Sequence, residues 1–358
     1  VAPGAPAIVS ITDDVAPGTG TLGSGSSTND PRPQLTGTAE AGSTVTIYDN
    51  GIAIGTAVVG SNGSWSFTPS VNLSEGSHQL TVRATDVAGN TGLASPVFTV
   101  TVDVTAPQTP SGFIINDDTG VLKGAIGAGQ FTDASEPRLT GRGEPGSTIT
   151  VYDNGVVIGT TTVLPNGTWS ITPTNPLAEG AHSITLRETD AAGNQSGLSQ
   201  PINFTVDLTP PLAPENVVIS ADGTTVTGTA EPGSTVTIRE NGVKVGEAVA
   251  DDQGNFSVDL IPPKANGEAL TADATDTAGN TGPTAPFDAP DITAAQTPVI
   301  TGVVDDAPGV TGPVSQNGLT NDSTPTINGT GEPGTTITLY SGTTEIGTAV
   351  VSANGQWS

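Results

Sequence analysis

Residues 35–48 read LTGTAEAGSTVTIY, and the pattern returns as LTGRGEPGSTITVY at 139–152, VTGTAEPGSTVTIR at 226–239 and INGTGEPGTTITLY at 327–340. In the second half of each copy apolar residues alternate with threonine, as Val45 and Ile47 do between Thr44 and Thr46. A period of two with β-branched residues is the pattern of a half-buried strand; a helix would space its apolar residues three and four apart. The Glu-x-Gly-Ser/Thr step between the two runs marks a chain reversal, since glycine accepts the positive φ that tight turns require. Strand, turn and strand, four times over, set the fold class.

The surroundings of each copy repeat as well. The glutamates Glu40, Glu144, Glu231 and Glu332 stand 104, 87 and 101 residues apart. Asp49-Asn50-Gly51 is a hairpin signal because Asn-Gly tolerates both positive φ angles of a type I′ turn, and Ser61-Asn62-Gly63 marks the next reversal. Complete copies close on Thr-Asp-x-Ala-Gly-Asn, as at Thr85–Asn90, and a final strand. Linkers begin at Asp103, Asp207 and Asp291. The first copy reads as seven strands: Ala7–Thr12, Gln34–Ala39, Thr44–Asp49, Ile52–Val59, Ser64–Thr68, Gln79–Thr85 and Val97–Val102. The expected fold is all-β, tandem immunoglobulin-like β-sandwiches in an extended array. The repeats are expected at 1–103, 104–207, 208–290 and 291–358. The third is short and lacks the acidic loop after its first strand. The fourth is expected to be truncated, since Trp357-Ser358 is the counterpart of Trp65-Ser66.

Composition narrows the function. Against 36 acidic residues stand 9 basic ones, a formal net charge of −27. No basic stripe exists to neutralise phosphates, so nucleic acid and anionic membrane surfaces are not expected partners. No apolar run approaches the ~20 residues of a membrane helix, so no membrane insertion is expected. Cysteine is absent, which excludes disulfides and thiolate metal sites. Methionine is absent even at position 1, and the chain is expected to be an internal part of a longer protein.

In a seven-stranded antiparallel unit the loops after strands one, three and five share a pole with the end of strand seven. That far pole of repeat 1 gathers Asp13, Asp14, Asn29, Asp30, Asp49, Glu75 and Asp103, and it is expected to face Asp190 and Asn194 of repeat 2. Two carboxylates about 4 Å apart repel by about 4 kcal/mol at an effective dielectric near 20, so the repeats should splay unless a cation sits between them. Carboxylate, amide and carbonyl oxygens without His or Cys suit Ca²⁺. The expected ligands are Asp13, Asp14, Asp30, Asp103, Asp190 and Asn194 at the first joint, and Asp117, Asp118, Asp133, Asp207, Asp276 and Asn280 at the second. Asp305, Asp306 and Asp322 repeat the pattern in the fourth copy. Individual acids have a plainer reading as turn formers.

Other signals point to structure. Trp65, Trp169 and Phe256 share one register position and are expected in the core. His78 and His182 sit 104 residues apart in different units and cannot pair on a metal. Gly18-x-Gly20-x-x-Gly23 follows a strand, but no helix follows it, so it does not read as a nucleotide fingerprint. No Ser/His/Asp set converges, and an enzyme is not expected. No exposed aromatic or basic patch particular to one repeat is expected.

Leu35–Tyr48, Thr85–Asn90 and Val102–Pro107, with their copies, resemble the bacterial Ig-like repeats of giant type I-secreted, RTX-type and biofilm-associated adhesins. The resemblance implies an extracellular, cell-surface stalk with Ca²⁺-stiffened joints, in which each repeat's partners are its neighbours and a ligand is engaged by domains elsewhere. The chain itself is expected to be monomeric. Two alternatives stand beside the stalk: direct glycan- or protein-binding modules, or an accessory region of a secreted enzyme.

Overall fold

The computed structural model describes residues 1–309 and 311–358. In repeat 1 the alternating runs become nine strands: β1 (Ala7–Asp13), β2 (Gly20–Leu22), β3 (Ser26–Thr28), β4 (Gln34–Thr38), β5 (Thr44–Asp49), β6 (Ile52–Val58), β7 (Ser64–Phe67), β8 (Gly76–Thr85) and β9 (Phe98–Val102). One sheet has the order β2-β1-β4-β7 and the other β3-β9-β8-β5-β6. Pairing is antiparallel except for β3, which runs parallel to β9. The inward residues Ile11, Leu35, Val45, Ile47, Trp65, Leu80, Val82, Ala84 and Val100 form one buried core between the sheets. Each fully buried aliphatic side chain contributes roughly 1.5–3 kcal/mol.

Local chemistry explains the turns. Asn50 and Gly51 have φ of 47° and 81°, the double positive value of a type I′ turn, and Asn154-Gly155 and Asn241-Gly242 repeat it. Gly37 on β4 lies beneath the Trp65 ring: a Cβ there would stand 2.1 Å from the Ala7 carbonyl oxygen and 2.3 Å from the ring. Trp65 and Trp169 are 3% exposed and Phe256 4%, so all three fill cores. His78 bridges Asp49 through Nδ1 at 2.7 Å and the Ser74 carbonyl through Nε2 at 2.7 Å, tying the β5–β6 turn to the loop before β8. His182, Asp153 and Ala178 do the same in repeat 2.

Two features differ from expectation. The segment after β1 is not a plain loop: β2 extends the first sheet, and β3 crosses to the second. Strand β8 begins three residues earlier than Gln79, because Gly76 to Gln79 continue the pairing with β9.

Repeat 2 has the same arrangement, with sheets built on strands 114–117, 138–142 and 168–171, and on 148–153, 156–162, 180–189 and 202–206; the short strand 131–132 pairs parallel to 202–206. In repeat 3 strand Glu215–Ile219 turns back directly into Thr225–Thr229, leaving a three-stranded first sheet where the acidic segment is missing. The fourth copy forms a sheet from 299–305, 312–313, 326–330 and 356–357 and a hairpin from 336–341 and 344–350. The chain divides into two compact units. One comprises Val1–Leu212, Gly233–Thr235 and Ala274–Pro283; the other comprises Ala213–Pro232, Val236–Asp273 and Thr284–Ser358.

Candidate functional site at the joint between repeats

Asp13 ends β1, and its carboxylate is engaged inside its own repeat. Oδ1 accepts the Val15 amide at 2.8 Å and Oδ2 the Thr28 hydroxyl at 2.5 Å. The Thr28 oxygen accepts the Asp30 amide at 3.1 Å, and Asp30 Oδ1 accepts the Arg32 amide at 2.7 Å. This run of bonds pins β3 beside the end of β1. Repeat 2 builds it from Asp117, Thr132 and Ala134, and repeat 4 from Asp305, Thr320 and Asp322. The Asp–Thr bond sets the register, so Asp133 is the counterpart of Asn29, and Ala134 stands where Asp30 does. The expected equivalence of Asp133 with Asp30 is off by one residue.

Repeat 2 meets this pole through direct hydrogen bonds. The Asn29 amide donates to the Ala192 carbonyl at 3.1 Å, and Asn194 Nδ2 donates to the Asp103 carbonyl at 2.8 Å. Asp190 does not point its carboxylate at repeat 1. Oδ1 accepts the Ala192 and Asn194 amides at 2.9 Å each, and Oδ2 accepts Asn194 Nδ2 at 2.8 Å. The acid therefore closes its own loop and aims Asn194 across the joint. Asp103 Oδ1 likewise accepts the Thr105 amide at 3.0 Å.

The second joint is built the same way within the first compact unit. Asn280 Nδ2 donates to the Asp207 carbonyl at 2.8 Å, and the Asp133 amide to the Ala278 carbonyl at 3.1 Å. Asp276 Oδ1 accepts the Ala278, Gly279 and Asn280 amides within 2.9 Å. Asp118 turns aside to an exposed ion pair with Arg138 at 2.9 Å.

Some oxygens at these joints are left over. Among the described residues, Asn29 Oδ1 and Asp30 Oδ2 find no hydrogen-bond partner, in residues 8% and 3% exposed. Burial pushes the Asp30 carboxyl up, the charges of Asp14 and Asp13 add to that, and the Arg32 and Asp14 amides pull the other way; the Asp14 amide lies near without reaching hydrogen-bond geometry. Burial also pushes Asp133 up, helped by Asp117. These orphaned oxygens fit a hard cation, which takes oxygen donors. Among the described residues, no three or more His, Cys, Asp or Glu side chains are grouped as a metal cage.

Comparison with known proteins places this architecture. A bacterial Ig-like domain model matches residues 5–104 and 108–208, and a bacterial Ig domain model matches 210–291. The chain belongs to the bacterial Ig-like domain family. Exoglucanase B of Cellulomonas fimi is 32% identical over 193 residues, which are 52% of this chain and 16% of that protein. Exoglucanase A of the same organism is 32% identical over 181 residues, 49% of this chain and 19% of its own length. The chain thus spans less than a fifth of the curated relatives it matches. A solved tetra-tandem repeat from the extending region of a large adhesion protein overlays with a TM-score of 0.26 at 20% identity, covering 93% of this chain and 88% of that one.

Two further acids of the Ig-like pair 1/2 were not among the expected ligands. Burial pushes the Glu144 carboxyl up, and Asp190, Asp103 and Glu188 push it further. Glu144 belongs to the recurring Glu-x-Gly-Ser turn, whose loop falls at the near pole by the same strand count, so the signal was present. Glu188 is 3% exposed and accepts the Glu144 amide at 2.5 Å and the Ser147 hydroxyl. It stands where repeat 1 has Ala84, an inward position by strand alternation.

Proposed function

We propose that the chain is a spacer of a bacterial surface adhesin, in which built joints hold successive Ig-like repeats in fixed orientation and Ca²⁺ stiffens those joints. The observation that carries this reading is the joint made twice from the same parts: Asn194 on the Asp103 carbonyl and Asn280 on the Asp207 carbonyl, each at 2.8 Å. A flexible tether has no use for a repeated, directional lock. The acids around it favour a calcium-loaded joint, because Asn29 Oδ1 and Asp30 Oδ2 find no partner among the described residues and Glu144 feels Asp103 and Asp190. Asp14, Asn29, Asp30 and Asp103 would hold the ion at the first joint, and Asp133 and Asp207 at the second. The ion would supply charge neutralisation, and at extracellular concentrations weak sites of this kind fill. Cell-surface location, type I secretion and support of adhesion and biofilm formation belong to this reading. Small-angle scattering of the chain in calcium and in EGTA tests it: chelation should broaden the distribution of inter-repeat distances, and identical profiles would refute calcium stiffening.

A second reading is favoured by the 32% identity to regions of two exoglucanases. In it the same spacer separates domains of a secreted enzyme. The two readings share the joint and differ in what flanks it; an adjacent catalytic domain in the parent gene would support the second.

A further inference from the structure

Repeat 2 and the closing loop of repeat 3 line a cavity of about 360 Å³. Its lining includes Asp117, Lys123, Ile126, Gln130, Phe131 and Thr277, all within the first compact unit. Two of these residues are particular to repeat 2. Phe131 takes the register position of Ser27, since Thr132 matches Thr28, and the residue is 48% exposed. Lys123 lies in the segment after the first strand, where repeat 4 has neither Lys nor Arg and repeat 1 has only Arg32, whose Nε donates to the Pro69 carbonyl at 2.7 Å. No exposed aromatic or basic patch particular to one repeat was expected, and Phe131 beside Lys123 is a small feature of that kind.

Of the nine basic residues, Arg138, Arg239, Lys244 and Lys264 pair with carboxylates. Lys123 is one of the five that make no ion pair among the described residues, so its ammonium is available to an anion in the cavity. Asp117, which also lines the cavity, makes no ion pair with it; its oxygens accept bonds from the Thr119 amide and the Thr132 hydroxyl. Gln130 Oε1 accepts the Gly127 amide at 2.5 Å, which fixes the carboxamide and leaves its NH₂ to donate outward.

We propose that this cavity binds an acidic sugar, a pyranose bearing a carboxylate within a glycan chain. The Phe131 face receives the apolar C–H face of the ring, Lys123 pairs with the carboxylate, and Gln130 and Thr277 bond the ring hydroxyls. The volume lies at the lower end of small-molecule sites, which begin at about 300 Å³, and so suits one or two sugar rings. An extended peptide is less suited, because peptide capture by strand addition needs an open edge, and the edge strand here, Phe131–Thr132, is two residues long. Screening confines the repulsion from distant acids to roughly 8 Å at physiological salt, so the charge that opposes an anion here is Asp117 in the lining itself, whose oxygens already accept bonds from Thr119 and Thr132.

Isothermal titration of the full chain tests the proposal, with a trimer of glucuronic acid as probe and cellotriose and tri-glutamate as comparisons. The glucuronate trimer should bind. Lys123→Met should weaken it about fivefold, and cellotriose should bind the native chain more weakly by a similar factor. Phe131→Ala should weaken both sugars about fivefold or more. Lys123 is exposed, so its variant tests the site without risk to the fold, and circular dichroism checks both variants. No heat from the glucuronate trimer, unchanged affinity in either variant, or tighter binding of tri-glutamate would overturn the assignment.

Discussion

Asn194 donates its side-chain amide to the main-chain oxygen of Asp103 at 2.8 Å, joining residues 91 positions apart in different Ig-like repeats. Asn280 and Asp207 make the same bond across 73 positions. The contact persists although the third repeat is shorter, because it depends on the closing Thr-Asp-x-Ala-Gly-Asn loop and the preceding linker, and neither lies in the deleted segment.

Replacing Asn194 with Ala should remove that bond and one to Asp190. A loss of about 1–2 kcal/mol of joint stability is expected. Hydrogen exchange should report it as faster exchange at the Asn29 amide, which donates across the joint, with the core of β5 and β8 unchanged. Equal protection at Asn29 in the variant would show that the side chain does not hold the joint.

Gly37→Ala should destabilise repeat 1 by about 1–3 kcal/mol. A Cβ there meets the Ala7 carbonyl and the Trp65 ring, and neither can retreat without disturbing β1 or the core. Denaturant unfolding followed by tryptophan fluorescence measures the change; a neutral outcome would mean that the ring is free to shift.

His78→Ala should cost about 2–3 kcal/mol, because it removes both bonds and leaves the Asp49 carboxylate, largely buried, without its ring partner. Repeat 3 has Glu268 at the position of His78, and Lys264, four residues earlier, pairs with the turn carboxylate Glu240 at 2.7 Å, so that carboxylate finds a cationic partner by another route. His78→Lys, which returns a cation to the neighbourhood of Asp49, should recover part of the loss in thermal unfolding.

Glu144→Gln should stabilise the metal-free joint at neutral pH. Burial and the neighbouring Asp190, Asp103 and Glu188 charges raise the folded-state pKa of Glu144 above its unfolded value. The folded state therefore holds its proton more tightly, and the stability this carboxyl contributes is greatest in acid and falls as pH rises through the folded pKa. The advantage of the Gln variant should vanish in acid, where the native carboxyl is neutral as well. A constant difference across pH would remove charge as the cause.

Much of the fold was legible in the sequence. Strands such as β5 and β8 announce themselves by period two, and Asn50-Gly51 by its turn chemistry. The short β2 and β3 were not legible, since two- and three-residue strands exist only through pairing with β1 and β9. The joint was legible in part. Loop counting brought Asp103 to Asn194, but the direction of the Asp190 carboxylate depends on backbone amides of its own loop, which out-compete a partner across the joint. The Asp13–Thr28 bond, invisible in residue spacing, displaced Asp133 by one position from its expected equivalent. Phe131 was hidden because it sits on an edge strand one residue from an inward threonine, where alternation turns it outward.

Calcium titration of the full chain, native and Asp30→Asn, tests the proposed stiffened joint most directly. Uptake is predicted with dissociation constants on the order of 10⁻⁴–10⁻³ M, typical of extracellular modules, and the Asp30→Asn chain should lose one site while its fold stays intact. Absence of any uptake by the native chain, or an isotherm unchanged by Asp30→Asn, would contradict it.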